Sequence, residues 1–297
     1  MNFLRRFLPG YRLSFARYDQ EGYGPSGGRT GCLNALLGNP RILVALLVIG
    51  GGIFKYYSGT SYHNEFTGRT QRLAIPTAEG EIRMGLASAP RMIQQFGGEV
   101  SDPAAQGRVS KVGQRLVKST PVGQTEYRFQ FHLLRDDQTI NAFALPGGQI
   151  FITAALYRLL QNEDQLAGVL GHEIGHVVGR HSNQQMSKTA LVQSLARGVG
   201  MAASNGHDYT SQQIADYVGN LVTLKYGRDD ENEADALGVH FMIDSGYDPE
   251  QMIGVMQILK KAGGGGRQPQ MLSTHPDPGN RIEHIREEIA RYRAGKK

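Results

Sequence analysis

The six residues Gly171-His172-Glu173-Ile174-Gly175-His176 constrain this chain more than any other stretch of it. Histidines four apart share a face only on a helix, so the spacing predicts a helix through them. The apolar positions Leu166, Val169, Leu170, Ile174 and Val177 extend that helix from about Glu163 to Arg180. Two neutral imidazoles on one face suit a zinc ion, and Glu173 can reach a zinc-bound water without ligating the metal. A tetrahedral hydrolytic site needs a third protein ligand and an open position. Glu231 and Asp235 lie four apart and share a face, as a ligand and a carboxylate holding a ligand histidine's free N–H would. Asp229, Asp230 and Glu231 also read as a plain acidic helix start. Glu233 sits about 160° further round and reads as solvated. His181 is the other candidate ligand. Longer three-histidine zinc patterns place their third histidine where this chain has Ser182, so His181 reads instead as a helix-end histidine favoured by the macrodipole.

The rest of the chain divides by charge. Residues 1–60 carry seven Lys/Arg against two acids, which accounts for the whole net charge of +5 and leaves residues 61–297 balanced. A nucleic-acid binder carries its excess on the folded domain, so nucleic acid is not an expected partner. Within residues 1–60 the run Ile42–Phe54 has no charge, and with Lys55 snorkelling it reaches Tyr57. Those sixteen residues span roughly 24 Å, short of the roughly 30 Å of a hydrocarbon core. A single-pass anchor over about 42–57 is expected, with a buried core helix as the alternative. The basic residues ahead of the run keep the N-terminus cytoplasmic and send residues 61–297 across. A single cysteine, Cys32, excludes an intrachain disulfide.

In residues 61–297 helices are expected from about Glu79 to Gln95, Pro103 to Ser119, Asn183 to Met201, Ser211 to Gly227, Glu231 to Ser245 and Pro249 to Ala262, with a last one after Pro278. Tyr127–Leu134 alternates as a strand, and Asn141–Leu145 and Gln149–Thr153 flank the turn Pro146-Gly147-Gly148. The fold class is α+β, mostly helical with one small antiparallel sheet. Arg197–Tyr209 reads as a lid or a plain connector. His63, His132, His240 and His284 have no partner at ligand spacing and read as ordinary residues.

Four motifs stand in order: Asn141-Ala142-Phe143-Ala144-Leu145-Pro146-Gly147-Gly148, His172-Glu173-x-x-His176, Glu231-x-x-Ala234-Asp235, and Ser273-Thr274-His275-Pro276 with Arg281. Together they resemble the gluzincin zinc metallopeptidases that include the CAAX prenyl protease, HtpX and BepA, over roughly Glu79 to Ile285. The resemblance implies a zincin-type domain holding one Zn2+ through His172, His176 and Glu231, with Glu173 as catalytic base and Asp235 as the supporting acid. It implies a substrate-binding edge strand over Asn141, Ala142, Phe143 and Ala144, which takes an extended polypeptide by strand addition. His275 and Arg281 match a histidine and an arginine near the domain's end. Either could donate to the tetrahedral oxyanion. His275 could instead occupy the open zinc position and hold the enzyme latent, and Arg281 could be a helix-start arginine paired with an acid. Unlike HtpX and the prenyl protease, a chain of this pattern is expected to lack multiple membrane spans, and no helical-repeat extension of the BepA kind is expected.

The expected activity is zinc-dependent endopeptidase cleavage of unfolded or misfolded proteins in envelope quality control. The expected location is a bacterial inner membrane facing the periplasm, or a mitochondrial inner membrane. A non-proteolytic chaperone or scaffold is the alternative, against which the intact Glu173 argues, because binding needs no base.

Overall fold

The helix carrying the histidine motif is long because Asn162 starts it, its side chain accepting the Gln165 N–H, and Glu163 and Asp164 follow at the positive end. A computed structural model describes residues 40–59, 61–203, 226–264, 269–275 and 280–296. In chain order these form α1 (Pro40–Ser58), β1 (Ser61–His63), β2 (Thr70–Arg72), α2 (Ala78–Gln95) and α3 (Pro103–Lys118). A sheet follows, made of β3 (Gln130–Leu134), β4 (Ala142–Leu145) and β5 (Gln149–Thr153). The remaining elements are α4 (Ala154–Leu159), α5 (Glu163–Val178), α6 (His181–Ala203), α7 (Arg228–Asp244), α8 (Glu250–Gly263), α9 (Gln270–Thr274) and α10 (Arg281–Gly295). The chain divides into two units between Leu43 and Val44, inside α1. The helix expected over 211–227 falls chiefly on residues outside those described, as do Pro276 and the second half of 197–209. The first half of that stretch continues α6 to Ala203.

The expected antiparallel sheet is mixed. Its order is β3-β5-β4, with β4 antiparallel and β3 parallel to β5. The reason lies in Pro146-Gly147-Gly148, which folds β4 back on β5 and leaves the far edge of β5 to β3. Gly147 has φ 86°, and a Cβ there would stand 2.4 Å from the Ile82 Cα of α2. Gly147→Ala is therefore expected to destabilise the domain by more than about 1 kcal/mol, read as a lowered urea midpoint. An unchanged midpoint would refute this account of the turn.

The sheet and α3 enclose one side of the main core, where Val109, Val112, Leu116, Phe131, Leu133, Ile150, Ile152 and Leu170 are buried. On the other side α5 packs along α7 at close range. A Cβ on Gly171 would meet Gly238 at 3.4 Å, and one on Gly175 would meet the Ala234 carbonyl at 2.9 Å. Small residues four apart on both helices let the backbones touch, and that contact brings the first two turns of α7 against the two histidines. The ribbon β1–β2 was not foreseen. Its Asn64 Nδ2 donates to Val178 O at 2.8 Å and its Gln71 Nε2 to Gly179 O at 2.7 Å, capping the open carbonyls at the end of α5.

Helix α1 extends the expected apolar run by two residues at its start and one at its end, to 19 residues or roughly 28 Å. It is the one helix among the described residues long and apolar enough to cross a membrane. Leu43, Val44, Leu46, Leu47, Ile53 and Phe54 are exposed on it.

Candidate metal centre

The motif histidines, Glu231 and His275 bring one ligand atom each within 4.8 Å of one another, all four side chains being buried. His172 Nε2 lies 3.0 Å from His176 Nε2 and 3.6 Å from Glu231 Oε2, and His176 Nε2 lies 3.5 Å from Glu231 Oε1. Four donors around one ion with bonds of about 2.0–2.1 Å stand about 3.3 Å apart, so the spacing fits a tetrahedral site. The protons argue the same way. His172 Nδ1 donates to Asp235 Oδ1 at 2.8 Å, which leaves a lone pair on its Nε2. With the His176 proton on Nδ1, facing His181, two lone pairs confront each other at 3.0 Å. In that tautomer a cation between them makes the contact favourable.

The charge balance supports the same arrangement. Burial alone would lift the Glu231 carboxyl, but His275, His176 and His172 hold it well below the usual carboxylate range. Burial also opposes ionisation of Asp235, and Arg281 overrides it. Arg281 binds Asp235 through Nε at 2.8 Å and Nη2 at 2.7 Å, with Nη1 3.0 Å from Glu231 Oε2. It is the first residue of α10. Its placement matches the helix-start arginine paired with an acid rather than a donor reaching into an open cleft. The His176 imidazole is kept neutral by burial.

Glu173 is fully buried, and neither of its carboxylate oxygens has a hydrogen-bond partner among the described residues. Burial pushes its carboxyl above the usual range, opposed by His275, whose Nε2 is 3.7 Å away. His275 stands at the end of α9 with Nδ1 2.9 Å from Glu231 Oε1 and 3.2 Å from His172 Nε2. The backbone N–H of Met271 in α9 donates to Ile140 O, just ahead of β4. Among the described residues β4 is an edge strand of its sheet, and Ala142, Phe143 and Ala144 on it are buried. Asn141 beside them is fully buried, with both side-chain polar atoms unpartnered among the described residues.

Two expectations are corrected. Glu233 is not solvated: it is half-buried, bonded to His181 Nε2 at 3.1 Å and ion-paired with Arg69 at 2.9 Å. His181 is not a histidine at a helix's negative end. It opens α6, fully buried, with its Nδ1 2.9 Å from His176 Nδ1. Spacing missed Tyr226 as well, whose ring stacks on His176 at 4.0 Å and whose hydroxyl bonds Ser182. Of the remaining histidines, His132 bonds Glu99 and His240 bonds Glu288, and neither joins the ligand cluster.

Residues 103–289 match peptidase family M48. The beta-barrel assembly-enhancing protease of Yersinia pestis is 34% identical over 213 residues, covering 69% of this chain and 41% of that protein. The mitochondrial metalloendopeptidase OMA1 of Schizosaccharomyces pombe is 29% identical over 247 residues, 81% of this chain and 69% of its own length. The metalloprotease YcaL of Escherichia coli (strain K12) is 27% identical over 186 residues, 61% and 71% of the two chains. The chain thus spans about two fifths of the assembly-enhancing proteases it matches. With the match running over more than half its length, this chain belongs to peptidase family M48, a family of metallopeptidases.

Proposed function

We propose that residues 61–297 form a zinc endopeptidase domain that cleaves extended segments of unfolded or misfolded proteins. The observation that carries the reading is the convergence of His172, His176 and Glu231 beside a buried, unpartnered Glu173 carboxylate. The three hold one zinc per chain, because imidazole and carboxylate donors at this spacing suit it. Bound there, zinc lowers the pKa of a water and polarises a peptide carbonyl. Glu173 takes the proton from the attacking water and returns it to the leaving amide nitrogen. Asp235 fixes the tautomer of His172, and Arg281 keeps Asp235 ionised. The edge strand Asn141–Ala144 takes the substrate as an added strand, which selects for extended chain more than for sequence.

With a metal bound by the other three, His275 would fill the remaining position and act as a latch. Its support is the short distance from His275 Nδ1 to Glu231, together with the bond from Met271 to Ile140 at the head of the edge strand. His275→Ala is expected to raise basal casein cleavage, about tenfold if nine in ten molecules rest latched. An unchanged or lower rate would refute the latch.

The segment 1–60 anchors the domain through α1, with its basic leader on the cytoplasmic side. Envelope protein quality control is the setting, supported by the relatives' names, a beta-barrel assembly-enhancing protease and a mitochondrial metalloendopeptidase. The bacterial inner membrane with the domain in the periplasm fits this leader, and the mitochondrial inner membrane is the other compartment it suits.

The test is metal removal from the full chain in detergent. Dialysis against a chelator should abolish casein cleavage, and one equivalent of zinc should restore it. Cleavage that survives complete metal removal would overturn the proposal.

A further inference from the structure

His181 is outside the ligand set, yet three features of the chain converge to seat it against a ligand. The first is Gly179, where a Cβ would stand 2.5 Å from His181 Nε2 and 2.7 Å from its Cε1. The second is Arg180, the one residue other than glycine with positive φ among those described, at 55°. That left-handed turn ends α5 and starts α6, folding His181 back onto His176. Arg180 is held in it by Glu81 at 3.1 Å, by Ile75 O at 3.1 Å and by the Tyr62 ring at 4.6 Å. The third is Glu233 on α7, which meets His181 Nε2 from the far side at 3.1 Å and is itself pinned by Arg69.

We propose that His181 is a positioning residue for the metal ligand His176, acting with Glu233 as an imidazole–carboxylate pair. The proton order follows from the contacts. Glu233 is acceptor-only when ionised, so His181 carries its proton on Nε2 and presents a lone pair at Nδ1. That lone pair accepts the His176 Nδ1–H, which leaves the His176 Nε2 lone pair aimed at the site. His172 has the same arrangement one step shorter, with Asp235 accepting directly. Both faces of the first two turns of α7 therefore serve the histidines of α5. Glu231 and Asp235 do so on one side and Glu233 on the other, through His181. His181, Asp230 and Glu233 also sit close enough to suggest a second cation site. The Arg69 guanidinium already supplies the positive charge there, 2.9 Å from Glu233 and 3.7 Å from Asp230.

The inference rests on the reading of His172, His176 and Glu231 as a zinc site, and the experiment separates the two. Zinc affinity of the detergent-solubilised full chain is measured by competition with a chromogenic chelator, and the thermal midpoint is measured on the metal-free protein. His181→Ala should weaken zinc binding 10–100-fold. His181→Asn, whose amide oxygen can accept the same N–H, should return affinity to within a few-fold of wild type. Glu233→Gln leaves His181 in place and should fall between them, which keeps a test should His181→Ala fail to fold. Wild-type affinity in His181→Ala, or an Asn variant as weak as Ala, would overturn the positioning role while the zinc site stands. Wild-type protein that binds no zinc would overturn both.

Discussion

Glu173→Gln is expected to lower casein cleavage by at least about a hundredfold while one zinc per chain remains bound. The size follows from losing the proton acceptor at the reacting atoms, and the selectivity follows from the geometry. Glu173 is next to ligand His172 in sequence, yet its oxygens make no hydrogen bond that the fold depends on. Glutamine has nearly the same shape, so packing around residue 173 in the middle of α5 is kept. The stability change has a defined sign. Burial pushes the Glu173 carboxyl up, meaning that its charged form is disfavoured where it sits. A neutral amide removes that penalty, so the thermal midpoint of the metal-free variant should hold or rise relative to metal-free wild type. A variant that keeps more than a tenth of wild-type activity at full zinc occupancy would exclude Glu173 as the base. One that loses activity together with zinc would mean Glu173 supports the ligands instead.

The parts of this site that were legible in the sequence are those generated within single helices. His172, Glu173 and His176 come from one helix, and Glu231 with Asp235 from another, so four-residue spacing was enough to group each set. The helices were legible from their apolar periodicity, and the structure shows Thr77, Asp102 and Asn162 capping three of them with side-chain acceptors. What escaped was assembled across elements. His181 reaches His176 only through a left-handed Arg180, and nothing in residue type announces that conformation at an arginine. Arg69 reaches Glu233 from a ribbon whose strands are three residues each, too short for alternation to register. The parallel pairing of β3 with β5 depends on which edge of β5 is left free, and strand pattern carries no record of that. Arg281 was visible as a residue, but its role was not, because that depends on α10 beginning beside α7.

Arg281→Met is expected to destabilise the domain by about 3–5 kcal/mol. The guanidinium is almost fully buried and contacts two buried carboxylates, bidentate on Asp235 and single on Glu231. Methionine fills a similar volume, so the loss is chiefly electrostatic: among the described residues Asp235 keeps only the His172 N–H as a partner, and Glu231 loses the Arg281 cation. For a domain of this size the midpoint should fall by roughly 6–20 °C. The pH dependence has a sign as well. Burial works against the Asp235 charge and Arg281 overrides it, so the native carboxyl titrates below its unfolded value of about 3.9. The stability this contributes is complete above that value and is lost as pH falls through the native pKa. Wild type and variant should therefore differ most near neutrality and converge towards acid. Adding Asp235→Asn to Arg281→Met should recover part of the loss, because it removes the stranded charge. A midpoint change under about 3 °C, with the loss confined to kcat, would instead mean that Arg281 serves the oxyanion and that its contacts with Asp235 and Glu231 carry little energy.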